Sequence, residues 1–232
     1  MVSVPRKTMD ALVAKARSEL PKTIDATTPE KPFVSESDIV MALVQHIHAL
    51  GQPVGSKRTM MLLMAVDSRD RAPSAFRPDT AYVQNAPCGV FLECRADEAQ
   101  HMPLAELALA CRRAVTAQTS EDNMTAMASL GYEQMVVSRN QAIFGNITMD
   151  FSLLHRDDFS QAIVRAGNGV GPGKPVYYHS QSIEPKGPLS LSICVIMGRD
   201  RNGDFWMGCD LRAETWSRFM IFLNQFDVSD SS

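Results

Sequence analysis

The dipeptide Asn202-Gly203 lies between two strand-length apolar runs, 193–198 and 205–209. Asn and Gly are the residues that most readily adopt positive φ, the backbone shape a tight turn between antiparallel strands demands. The pair therefore commits this part of the chain to a β-hairpin, and a hairpin must be covered on at least one face by other elements. Further strand-length pieces occur at 60–66, 89–95, 142–148, 176–180 and 189–197. Between them the apolar period changes from two to that of a helix. Residues 8–20 place Met9, Leu12, Val13, Ala16 and Leu20 on one face, and Pro21 stops the run. Ser35, with Asp38 three residues on, is a helix start, continued by Ile39, Leu43, Ile47 and Leu50 until Gly51. Residues 103–119 form another amphipathic helix through Leu104, Leu107, Cys111 and Val115, and a shorter one at 120–130 is closed by Gly131. A last helix, 212–226, turns Trp216, Phe219, Met220 and Leu223 toward a core. Irregular alternation of strands and helices, with a hairpin, predicts an α/β fold of the α+β type. Its expected form is a two-layer sandwich, a mixed sheet with helices packed on it. No internal repeat divides the chain, so residues 1–232 are expected to form a single domain.

Composition narrows the function classes. At 232 residues and 45% hydrophobic, the chain can bury one substantial core. A net charge of -3 with scattered arginines gives no basic surface for nucleic acid. The longest apolar stretch, 59–66, is far short of the roughly 20 residues a membrane helix needs. The first residues lack the apolar core of a signal peptide, and a cytoplasmic location is expected. Cys88, Cys94, Cys111, Cys194 and Cys209 include no C-x-x-C pair, which argues against a disulfide framework and a zinc site. His46 and His48 sit roughly 200° apart around one helix and cannot share a ligand face, so no metal is expected. The glycine-rich stretch 167–174 ends in Lys174-Pro175 and leads into a strand rather than a helix. It is therefore read as a connector and not as a phosphate loop.

Several segments carry a family resemblance. Val4-Pro5 with the helix after it, and Phe33-Val34-Ser35-Glu36-Ser37-Asp38-Ile39, resemble segments of the second half of BAHD-type acyltransferases, especially fungal members related to trichothecene acetyltransferases. Val66-Asp67-Ser68-Arg69-Asp70-Arg71 resembles the family's "V-D-x-R-x-R", and Tyr82-Val83-Gln84-Asn85-Ala86 its "Y-x-G-N-A". Asp158-Phe159-Ser160 followed by Gly173-Lys174-Pro175 resembles its "D-F-G/S … G-x-P", and Gly208-Cys209-Asp210-Leu211 with Trp216 resembles its ending. The resemblance implies a chloramphenicol acetyltransferase-like fold. Two departures stand out. Asn146 to Phe151 lacks the Trp of the family's "S/T-N-W" element. The family's H-x-x-x-D motif is also absent: His46, His48, His101, His155 and His179 are followed four residues later by Leu50, Gln52, Ala105, Phe159 and Ile183.

Candidate site residues follow from both readings. A carboxylate near an imidazole raises its pKa and orients it, which makes His155 with Asp157 the catalytic candidates. The resemblance places them near the acceptor channel. The competing reading is a surface histidine in a charged loop. Tyr82, Asn85 and Thr148 are polar residues near strand ends, able to orient a ligand or simply to cap backbone. Met149, Phe151 and Trp206 would line an apolar pocket or serve the core. Asp158 resembles the family's structural Asp, with Arg69 or Arg71 as partner.

Acyl transfer to a hydroxyl needs a general base, and this sequence carries no copy of the family's. The favoured expectation is thus an acyltransferase-fold enzyme of fungal secondary metabolism. It would hold a hydrophobic polyketide or terpenoid for a cofactor-free cyclisation or isomerisation, as a pericyclase does, through proximity and orientation. The first alternative is a CoA-dependent O-acyltransferase half, using acyl-CoA and a partner chain that bears the histidine. The second is a non-catalytic partner. A lone half would expose apolar surface, so a homo-oligomer or pairing with an N-terminal-half chain is expected.

Overall fold

The computed structural model describes residues 2–20, 32–83, 86–139, 150–156, 192–200, 202–209 and 211–226. Six strands and six helices are formed by these residues: β1 (Val2–Val4), α1 (Arg6–Glu19), α2 (Glu36–Leu50), β2 (Thr59–Asp67), β3 (Pro87–Arg95), α3 (Ala96–His101), α4 (Leu104–Gln118), α5 (Glu121–Ser138), β4 (Asp150–Arg156), β5 (Ser192–Arg199), β6 (Phe205–Cys209) and α6 (Ala213–Asn224). The strands join into one mixed sheet, ordered β1-β6-β5-β4-β2-β3. β4 runs parallel to both β2 and β5, and the remaining pairs are antiparallel. Helices cover the sheet, as the alternation in the sequence predicts.

One core holds the layers together. Leu62 and Met64 of β2, Val90 of β3, Ile196 of β5 and Phe205 and Met207 of β6 meet Met9 and Leu12 of α1, Ile39 and Leu43 of α2, Leu107 of α4 and Phe219 of α6. α2 is apolar nearly all round and, apart from its first turn, His46 and Leu50, buried all round. That is the pattern of an interior helix. Its start is a full capping box. The Ser35 hydroxyl accepts from the Asp38 backbone N–H, while the Asp38 carboxylate accepts the Ser35 N–H at 2.7 Å. The carboxylate also takes Nε of Arg112 from α4 at 2.9 Å, which ties the two best-packed helices together.

Several expectations are corrected. The short helix at 120–130 runs on through Gly131 to Ser138 as α5, because a single glycine weakens a helix without ending it. The helix at 103–119 is preceded by the separate α3. β1 and β4 are strands that the sequence pattern does not announce. Met220 is 44% exposed, whereas Phe219 and Leu223 are buried as expected. The hairpin joins β5 and β6 as predicted, yet of the Asn202-Gly203 pair Gly203 alone takes positive φ, at 87°. Asn202 does not, so the connection is no two-residue turn. Instead the Asp200 carboxylate accepts the N–H groups of Asn202 (2.8 Å) and Asp204 (3.1 Å) and closes the loop on itself. The expected strands at 142–148 and 176–180 and the connector 167–174 lie outside the described residues. No helix among those described is long and apolar enough to cross a membrane.

Candidate functional site at the end of the parallel strands

Parallel β2, β4 and β5 all point their carboxyl ends the same way, and ligands of open α/β sheets bind at such ends. The register fixes what gathers there. Met64 of β2 pairs with Leu154 of β4, and His155 of β4 pairs with Val195 of β5. The backbone of His155 is therefore one residue from the end of a central strand, which corrects the reading of a histidine in a loop. Leaving β2 at the same end is the segment that carries Arg69, Arg71 and Tyr82. Leaving β5 there is the loop that returns to Trp206, which pairs with Gly198 across a bulge and with Ser3 on its other side. Phe151 is at the opposite end of β4, paired with Met61. Asn85, Thr148, Met149, Asp157 and Asp158 lie outside the described residues.

The described side chains at this end are held by local bonds. Arg69 Nε donates to Asp67 at 2.9 Å, and the guanidinium keeps the Asp67 carboxyl below its ordinary range. Arg71 donates to the Thr119 hydroxyl at 2.8 Å, which links the loop to the end of α4. The described partners of the two arginines are Asp67 and Thr119; Asp158, the partner expected from the resemblance, lies outside the described residues. Tyr82 is half-buried. Its hydroxyl accepts the Arg77 N–H at 2.7 Å, and its ring meets Phe76 edge-on at 5.1 Å. The Trp206 indole N–H donates to the Asp200 carboxylate at 3.2 Å, so the same carboxylate that shapes the hairpin loop orients the ring. Arg69, Arg71, Tyr82, His155 and Trp206 thus share one end of the sheet by topology, while Phe151 does not.

The other described histidines bond to backbone carbonyls of the helices. The His48 ring bonds the Val44 carbonyl at 2.8 Å one turn back, and the His46 ring bonds the Ala99 carbonyl at 2.9 Å. Among the described residues, no group of three or more His, Cys, Asp and Glu side chains is placed to hold a metal ion. The thiols of Cys88, Cys94 and Cys111 are all pushed up by burial, which makes them packing groups rather than nucleophiles.

No family model matches the chain. It is 27% identical over 237 residues to the O-acetyltransferase PaAT-2 of Phomopsis amygdali, covering 94% of this chain and 47% of that protein. Against the acetyltransferase pyiB of Pyricularia grisea it is 25% identical over 210 residues, covering 84% of this chain and 41% of that one. The relatives are not uniform in description: the transcriptional regulator calD of Penicillium decumbens is 24% identical over 226 residues, covering 89% and 45%. Among solved structures, the chain resembles TRI101 of F. sporotrichioides complexed with coenzyme A and T-2, with a TM-score of 0.65, 18% identity, and coverage of 94% and 47%. Vinorine synthase is similar at a TM-score of 0.56 and 13% identity, with coverage of 97% and 46%. The chain spans about half the length of the curated relatives it matches. Its fold is that of roughly one half of a BAHD-type acyltransferase, the chloramphenicol acetyltransferase-like sandwich, in a sequence similar from end to end to fungal acetyltransferases.

Proposed function

We propose that this chain is one half of an O-acyltransferase of fungal secondary metabolism that moves an acyl group from acyl-CoA to the hydroxyl of a hydrophobic polyketide or terpenoid. The observation that carries the reading is the similarity to O-acetyltransferases over nearly the whole chain, in a fold shared with half of a coenzyme A-bound enzyme. A base takes the acceptor proton, the alkoxide attacks the thioester carbonyl, and the tetrahedral oxyanion collapses to release the thiolate, which takes up a proton. No histidine of this chain has the H-x-x-x-D spacing, so the base would come from the other half. This half would supply the carboxyl end of its parallel strands, with His155 and Asp157 toward the acceptor and Tyr82, Asn85 and Trp206 among its walls. Acyl-CoA as donor fits the cytoplasmic location expected from the sequence.

Pairing is supported by the far part of α5. Leu130, Tyr132, Met135, Val136 and Val137 are exposed there, between 44% and 83% of each, on more than one side of the helix. A helix end that is apolar on several sides is stable in water only when another body encloses it. The second reading is cofactor-free cyclisation or isomerisation of the same class of substrate, favoured by the absence of the H-x-x-x-D spacing from these residues.

One experiment separates the two. The chain is prepared alone and joined to a half that carries H-x-x-x-D, and each is supplied with acetyl-CoA and a panel of terpenoid and polyketide alcohols. Ester formation matched by free thiol, from the joined protein only, is the expected result. An isomer of unchanged mass, produced by the chain alone without thioester, would establish the second reading. No product above buffer from the joined protein would overturn acyl transfer.

A further inference from the structure

Away from the carboxyl end of the strands, a cavity of about 260 Å³ opens between α1, α2, the α3–α4 junction and the end of α6. Its apolar walls are Leu12 and Ala16 of α1, Met102 and Leu104 after α3, and the rings of Phe222 and Phe226. The volume exceeds the about 150 Å³ that is enough to hold a benzene ring in a protein interior.

The polar groups around it are already arranged. The Gln100 amide donates to the carbonyls of Ala49 (2.8 Å) and Gln52 (3.2 Å), which fixes the wall to the end of α2. His101 is bonded through Nδ1 to the Asp97 carbonyl at 2.8 Å. Lys15 lies 4.9 Å over the Phe226 ring, and Glu19 sits one turn further along α1, so the lining carries one charge of each sign. His46 is different in kind. It is half-buried, its ring packs 4.9 Å from Phe222, and Nδ1 lies 2.9 Å from the Ala99 carbonyl. A carbonyl accepts only, so Nδ1 carries the proton and Nε2 is left as an acceptor. Burial also lowers the His46 pKa, which keeps the ring neutral and the acceptor available at pH 7.

We infer that this cavity is a binding site for a neutral one- or two-ring molecule bearing a single hydroxyl, which donates to Nε2 of His46 while its rings pack against Phe222, Leu104 and Met102. The site is distinct from the carboxyl end of the parallel strands and does not rest on acyl transfer. A charged ligand is disfavoured by the balanced Lys15 and Glu19, and a purely apolar one leaves the imidazole acceptor without a donor.

The chain is titrated by fluorescence with 2-naphthol and, in parallel, with 2-methoxynaphthalene, which keeps the rings but lacks the donor. Wild-type protein should bind 2-naphthol with a Kd below about 1 mM, modest for roughly eleven heavy atoms. It should prefer it to the ether by about tenfold, the ratio one hydrogen bond of ordinary net strength supports. His46→Phe should abolish the preference, and Leu104→Trp, which fills the space, should remove binding of both. Equal affinity for the two probes in the wild-type protein, no binding of either, or a preference that survives His46→Phe would each overturn the assignment. The comparison of probes needs no variant and so stands even where a substitution impairs folding.

Discussion

Asp38→Ala is the substitution whose cost the structure fixes most closely. The carboxylate is 2% exposed and accepts three hydrogen bonds, from the Ser35 N–H and hydroxyl at 2.7 Å each and from Nε of Arg112 at 2.9 Å, while Nη2 of Arg112 pairs with it at 2.6 Å. Removing it opens the capping box, which costs about 1 kcal/mol. It also strands the Arg112 guanidinium, and breaking a fully buried pair costs about 3–5 kcal/mol. Arg112 is 32% exposed, however, and recovers part of its hydration. The stranded cation is thus set at about 2–3 kcal/mol, giving a total of about 3–4 kcal/mol. Ser35→Ala, which loses the cap alone, should cost about 1 kcal/mol. Arg112→Leu combined with Asp38→Ala should cost less than the two single changes together by about 1–2 kcal/mol, because the second removes the charge the first orphaned. Urea unfolding of the wild type and the four variants, read from midpoints at constant slope, measures each quantity. A loss below about 1 kcal/mol for Asp38→Ala, or a double change equal to the sum of the singles, would refute the argument.

Three further outcomes are expected. Gln118 donates to the Phe91 carbonyl (2.7 Å) and accepts its N–H (2.9 Å), so it plugs the outward backbone of edge strand β3; Gln118→Leu should cost about 1–2 kcal/mol and increase concentration-dependent association in sedimentation. Gly203 has φ 87°, and a Cβ there would meet the Arg6 side chain at 2.9 Å; Gly203→Ala should lower stability by about 1–2 kcal/mol in thermal unfolding. The His46 pKa is lowered from the ordinary 6.5. The unfolded chain then binds more protons than the native one below that value. The His46 contribution is therefore complete above pH 6.5 and is lost as pH falls through the lowered native pKa. Unfolding midpoints measured from pH 7.5 down to 5 should fall less steeply for His46→Phe than for wild type; parallel slopes would contradict this.

The elements legible in the sequence are those whose signals are local. Ser35 and Asp38 announce α2 because a capping box is made by residues three apart. The apolar stripe of α1 and the Gly203 turn are set by neighbours along the chain in the same way. β4 is the contrary case. Asp-Phe-Ser-Leu-Leu-His-Arg has no clean alternation, and it becomes a strand because β2 and β5 pair with it on both sides. Met220 falls on the apolar stripe of its helix and still meets solvent, since the position of α6 against α2 decides which part of that stripe is covered. The candidate site divides along the same line. The sequence marked Tyr82, His155 and Trp206 as separate residues, and their common place at one end of the sheet follows only from strand order and direction. His46 offered no signal beyond standing in an apolar helix; the Ala99 carbonyl that sets its tautomer and the phenylalanine rings that enclose its cavity come from α3 and α6, 53 and about 180 residues away. Local propensity follows from covalent neighbours and is written along the chain, whereas pairing, burial and the making of a pocket depend on groups that only folding brings within reach.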